Sequence, residues 1–203
     1  MARIHHVEKP VSSFLSVDKD TDLIISKMLK NDRLKRLLYY PKKDCITNTS
    51  GECPNLTEEE TLSLIGKQIR LVPRVALDEE VCNYIFINFN NFIPNRTNPH
   101  FRDNTIQFDI VCDFDQWYIA DGQLRPYRIA AEIDSLFNGA KLSGIGKLDF
   151  AGAAHIPISD TKAGFALLYV AIHGDEDQKD MLSEQANAQF IEEFNRIWNS
   201  DDE

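Results

Sequence analysis

The stretch Thr105-Ile-Gln-Phe-Asp-Ile-Val-Cys-Asp-Phe-Asp115 holds the clearest period-two pattern in the chain. Ile106, Phe108, Ile110, Cys112 and Phe114 alternate with Gln107, Asp109, Val111, Asp113 and Asp115. Side chains of a strand point alternately to opposite faces, so this pattern predicts a strand with one buried and one acidic face. Upstream, Tyr84–Phe89 is apolar on both faces, as a central strand requires. Before it, Ile69, Leu71, Val75 and Leu77 alternate with polar residues, and Pro73 moves that strand towards a sheet edge. The Asn- and Pro-rich run from Asn90 to Asn104 reads as a long hairpin loop.

Downstream, a helix starts near Leu124 and buries Ile129, Ile133, Leu136 and Phe137, with Asn138-Gly139 as its left-handed stop. Two more strands follow, one through Leu148, Phe150, Ala154, Ile156 and Ile158, the other through the apolar run Gly164–Ile172. An earlier helix is expected from an N-cap at Asp20-Thr-Asp, with Leu23, Ile24, Met28, Leu34, Leu37 and Leu38 on one stripe, ending before Pro41. Leu182, Ala186, Phe190, Phe194 and Ile197 recur at helical spacing near the C-terminus. The order α-β-β-β-α-β-β-α predicts the α+β class, a mainly antiparallel sheet with helices on one face. Residues 1–19 read as an arm, 20–174 as the core domain with a mobile loop at 41–60, and 175–203 as an acidic link and helix.

The 203 residues, 43% hydrophobic and 27% charged, suit one domain with its own core. A net charge of −10 opposes a surface that grips nucleic-acid phosphates. No run approaches the ~18 apolar residues of a membrane span, and the first residues lack a signal-peptide core. Cys45, Cys53, Cys82 and Cys112 fit no zinc spacing and read as thiols in a reducing compartment. No metal or cofactor is expected.

Three groups could carry chemistry. Asp109, Asp113 and Asp115 on one strand face could hold Mg²⁺ for a nuclease, but no Glu-x-Lys partner is correctly placed. The His173-Gly-Asp-Glu-Asp177 loop could supply acid/base groups, but a strand ending in a turn before an acidic helix start is the better explanation of the same residues. Gly139, Gly144 and Gly146 follow a helix and precede a strand, the reverse of a phosphate loop. The expectation is therefore a non-enzymatic chain. Phe92, Arg96, Phe101, Arg102, Trp117, Arg125, Tyr127 and Arg128 belong to the residue types enriched at protein interfaces and are the subunit-interface candidates.

The runs Phe92-Ile-Pro-Asn95, Phe108-Asp-Ile-Val-Cys-Asp-Phe-Asp-Gln-Trp117, Leu124-Arg-Pro-Tyr-Arg-Ile-Ala-Ala-Glu-Ile-Asp134, Leu142-Ser-Gly-Ile-Gly-Lys-Leu-Asp-Phe150 and Ala163-Gly-Phe-Ala-Leu-Leu-Tyr-Val-Ala-Ile-His-Gly174 resemble head–tail assembly proteins of tailed phages of Gram-positive bacteria. The strand-strand-strand-helix-strand-strand order is similar to the tail-terminator fold. The resemblance spans about residues 68–174. It implies a structural virion protein of the neck: a hexameric ring that caps the tail tube and joins it to the head connector. Its partners would be other copies of itself, the tail tube protein and the connector or stopper proteins, with DNA passing through unheld. A head-completion (stopper) protein of the same neck is the neighbouring alternative. A metal-dependent nuclease using Asp109, Asp113 and Asp115, and an intracellular regulatory binding module, are the alternatives from other classes.

Overall fold

A computed structural model describes residues 15–71, 81–94, 102–142 and 145–172. Residues 1–14 of the arm expected at 1–19, the His173 loop, the acidic link and the C-terminal helix lie outside the described residues, as do Pro73, Val75 and Leu77 of the first expected strand, whereas residues 15–19 are helical.

Three helices precede the sheet: α1 (Leu15–Leu29), α2 (Asp32–Tyr39) and α3 (Glu58–Ser63). The single helix expected before Pro41 is therefore two. The break falls at Asn31, whose side chain caps α2 by accepting from the Leu34 amide at 3.0 Å. Asp20 is no N-cap, because α1 begins at Leu15 and Asp20 is a buried residue inside it. Ile24, Ile25, Met28, Leu34, Leu37 and Leu38 are buried, whereas Leu23 faces outward.

The 41–60 segment is built rather than open. The Asp44 carboxylate accepts hydrogen bonds from the Thr47 hydroxyl, the Thr49 hydroxyl (3.0 Å) and the Ser50 amide (2.8 Å). These bonds, the Thr47 one foremost, hold its carboxyl well below the usual carboxylate range. Cys45 and Cys53 are buried in the core at either end of this turn. The segment then runs into α3, whose Thr57 and Glu60 form a reciprocal capping box.

The sheet comprises β1 (Ile69–Arg70), β2 (Tyr84–Pro94), β3 (Arg102–Asp113), β4 (Lys141–Leu142), β5 (Gly146–Pro157) and β6 (Lys162–Ile172), ordered β1-β2-β3-β6-β5-β4. All pairs are antiparallel except β1–β2. Strands β2 and β3 extend to Pro94 and from Arg102, so the hairpin loop is shorter than the expected span from Asn90 to Asn104.

Helix α4 (Arg125–Phe137) carries the chain from β3 to β4 and stops at Asn138, with Gly139 at φ 73°. The core lies between one sheet face and α1, α2 and α4. Its sheet side is Ile85, Ile87, Ile106, Phe108, Ile110, Cys112, Leu167 and Tyr169, and its helix side includes Ile24, Met28, Leu37, Ile129, Ile133 and Phe137. Phe108 sits at the centre, stacked on Phe137 at 4.9 Å and meeting the edge of Tyr169 at 5.7 Å. This is the α+β class that the alternation predicts.

Two details depart from the expected strand patterns. Phe114 is exposed, because β3 ends at Asp113 and residues 114–116 form a 3-10 turn. A register shift between Phe150 and Gly152 breaks the parity expected along β5, leaving Phe150 opposite the core residue Tyr169 while Ala154 and Ile156 turn to the other face.

Candidate functional site

The residues singled out for chemistry are not assembled into one site. Asp109 lies on the sheet face opposite the helices, in a ladder of amides. Its two oxygens accept from Asn88 Nδ2 at 2.9 Å and Gln107 Nε2 at 2.7 Å, and Gln107 in turn accepts from Asn90 Nδ2 at 3.1 Å. Burial lifts the Asp109 carboxyl above its ordinary range, and the two amide bonds oppose that shift. Asp113 is buried, accepts from the Asp115 amide at 3.0 Å and lies 3.7 Å from the Lys162 ammonium. Asp115 is on the 3-10 turn and exposed. The expected common strand face is thus a correction: the chain leaves the strand before the third carboxylate. Among the described residues no three His, Cys, Asp or Glu side chains gather as a metal would require.

The interface candidates also separate. Arg96 and Phe101 lie outside the described residues, as do the side chains of Phe92 and Arg102. Trp117 is half-buried with its ring 5.3 Å from that of Phe114, edge to face. Tyr127 is 52% exposed and lies over Phe165 at 4.6 Å, and His155 meets the same Phe165 ring at 5.3 Å. Arg128, half-exposed, is 4.0 Å from Glu132 one turn on. Tyr118 is 61% exposed and Phe114 45%.

Arg125 corrects the interface expectation outright. It is fully buried and has no surface to offer a neighbouring subunit. Its guanidinium donates to five backbone carbonyls: Gln116 from Nε (2.8 Å), Leu37 (2.6 Å) and Tyr40 (2.9 Å) from Nη1, and Pro41 (3.1 Å) and Lys42 (2.9 Å) from Nη2. Leu37 is in the last turn of α2 and Tyr40 is its C-cap residue, where carbonyls lack helical partners and carry the negative end of the helix dipole. The side chain is therefore the C-cap of a helix more than eighty residues away. Gln116 extends the junction, donating to the Val81 carbonyl at 2.9 Å and accepting from Asn83 at 2.6 Å. One signal in the sequence could have exposed this role: a cation in the first turn of α4 opposes that helix's own dipole, so its charge must be employed elsewhere.

Cys45, Cys53 and Cys112 are buried thiols whose pKa burial raises, Cys112 being pushed up to about 12. Cys82 is half-buried. An alkylating reagent at pH 8 is expected to modify one of the four cysteines, Cys82, in the native chain and all four in denaturant. Mass spectrometry of the peptides checks this, and rapid native labelling of Cys112 would contradict the burial described.

No curated protein and no solved structure matches the chain. A family model, YomW, matches residues 31–171, which is more than half of the 203 residues and takes in α2, the whole described sheet except Ile172, and the Arg125 junction. The chain belongs to the YomW family, a phage-derived family of Bacillus of the SPβ-like prophage type.

Proposed function

We propose that this chain is a structural protein of the phage neck, a tail terminator whose ring caps the tail tube and joins it to the head connector. One observation carries the reading: a phage-derived family chain has the strand-strand-strand-helix-strand-strand order of the tail-terminator resemblance, in β1, β2, β3, α4, β5 and β6, with the two-residue β4 added between α4 and β5. Two further features support a non-catalytic role. Arg125 and Asp113, two buried polar groups of the described core, are spent on holding its own elements together. Phe114, Tyr118 and Tyr127 are exposed aromatic residues, the type that fills protein–protein contacts.

A capping ring makes a direct prediction about its absence. Deleting the gene from the phage should yield filled heads beside unjoined tails, with infectivity lost and DNA packaging intact. Restoring the wild-type chain in trans should rejoin them. Heads that fill and then lose their DNA would favour the stopper position in the same neck. A deletion mutant that makes joined, infectious particles would exclude both positions.

A further inference from the structure

Among the described residues the sheet has two open edges. On the outer side of β2 the described backbone bonds end with the short β1 pairing, at Ile85 and Phe86. On the outer side of β5 they end at Leu148, which exchanges bonds with Gly139 and Ala140. Beyond these points, among the described residues, Ile87–Pro94 and Asp149–Pro157 are paired on their inner sides only. Both spans are on the order of 25–30 Å long.

Edges are usually guarded by charge, above all by lysine, because an open ladder invites another chain. These two are not. Ile87–Pro94 contains no Asp, Glu, Lys or Arg, and Asp149–Pro157 contains only Asp149, paired with Lys147 at its start, although 27% of the chain is charged. Each edge strand also exposes a large apolar side chain, Ile93 at 59% and Phe150 at 44%.

Direction decides the partner. Three antiparallel steps separate β2 from β5 (β2–β3, β3–β6, β6–β5), so the two edge strands run in opposite senses. If a second copy is placed beside the first by rotation about an axis, its β2 meets β5 antiparallel and continues the pattern. Two-fold pairing of β5 with β5 would leave both β2 edges open. Head-to-tail pairing uses each edge once with a single repeated contact and closes a cyclic ring.

We infer that the occupant of both edges is another copy of this chain, with β5 of one copy pairing antiparallel to β2 of the next. This rests on the ring reading and adds the contact that builds the ring. Main-chain bonds supply the affinity in such strand addition, and the apolar side chains supply the register.

The test places one cysteine on each edge, on the same sheet face, in a Cys82→Ser background. Asn90→Cys is combined in turn with Gly152→Cys, Ala154→Cys and Ile156→Cys to scan the register. Oxidation is carried out on the concentrated purified chain and on particles assembled with it. In at least one register the double variant should give a reducible ladder from dimer to a closed oligomer. An equal mixture of the two single variants should give dimers only. Dimers from Ala154→Cys alone would show two-fold pairing and overturn the proposal, as would a folded chain that stays uncross-linked in every register. Particles holding the chain at the neck without β2–β5 cross-links would remove this contact and leave the neck reading. A ladder from a chain absent from particles would do the reverse.

Discussion

Replacing Arg125 with Ala is expected to remove on the order of 4–5 kcal/mol of stability, enough to leave a domain of ordinary stability barely folded. The change vacates a fully buried space and leaves five backbone carbonyls without their donor, two of them at the C-terminal end of α2. Each buried acceptor stripped of its partner costs about 1–3 kcal/mol, less whatever water recovers. Arg125→Lys is expected to recover only part of the loss. A single ammonium has three donors at one point and cannot span carbonyls reached by three separate guanidinium nitrogens. Thermal and urea unfolding of the three chains measure the order wild type, then Lys, then Ala. An Arg125→Ala chain that unfolds like wild type, yet fails to assemble, would return Arg125 to the interface.

The second large effect is at Gly164. It pairs with Val111 across β3 and β6, the two central strands of the sheet. A Cβ there would land on the carbonyl oxygen of Ile110 and within 2.7 Å of its carbon. These are backbone atoms of a central strand and cannot swing aside as a side chain would. Gly164→Ala is expected to cost roughly 3 kcal/mol or more, the upper end of what overpacking costs. Gly152→Ala in the neighbouring strand β5 has open space around the added methyl and should be close to neutral. Paired melting curves check the contrast, and equal midpoints for the two variants would contradict the close approach described.

What the sequence made legible follows from how local each signal is. The alternation from Ile106 to Cys112 and the stripe in α4 are short-range patterns, and both elements stand where those patterns place them. The ends of elements were harder to read. Phe114 continues the period-two pattern but falls just past the strand, because Asp113 caps a 3-10 turn instead of extending the ladder. The α1–α2 break was missed because Lys30-Asn31 lacks a Gly or Pro, although Asn is a strong N-cap. Helix α3 was missed inside a polar stretch despite its Thr57-Glu-Glu-Glu60 capping box.

The interface candidates fared unevenly for a different reason. An arginine's residue type cannot say whether its guanidinium meets a neighbouring subunit or its own backbone carbonyls. Arg125 does the second because the C-terminal turn of α2, distant in sequence, is brought to it by the fold. Tyr127 is 52% exposed although its ring lies over Phe165 of β6. The open edges of β2 and β5 had no counterpart in the sequence reading, since an edge is defined only once the strand order is known.

The account turns on where the chain resides in a finished particle. Electron microscopy of intact particles labelled with an antibody against the chain tests this most directly, with averaged neck images from the same sample. The account predicts label at the junction of head and tail, and density for a closed ring with cyclic symmetry, six-fold as the resemblance implies. Intact, infectious particles that carry no label and no ring of this chain at the neck would contradict it.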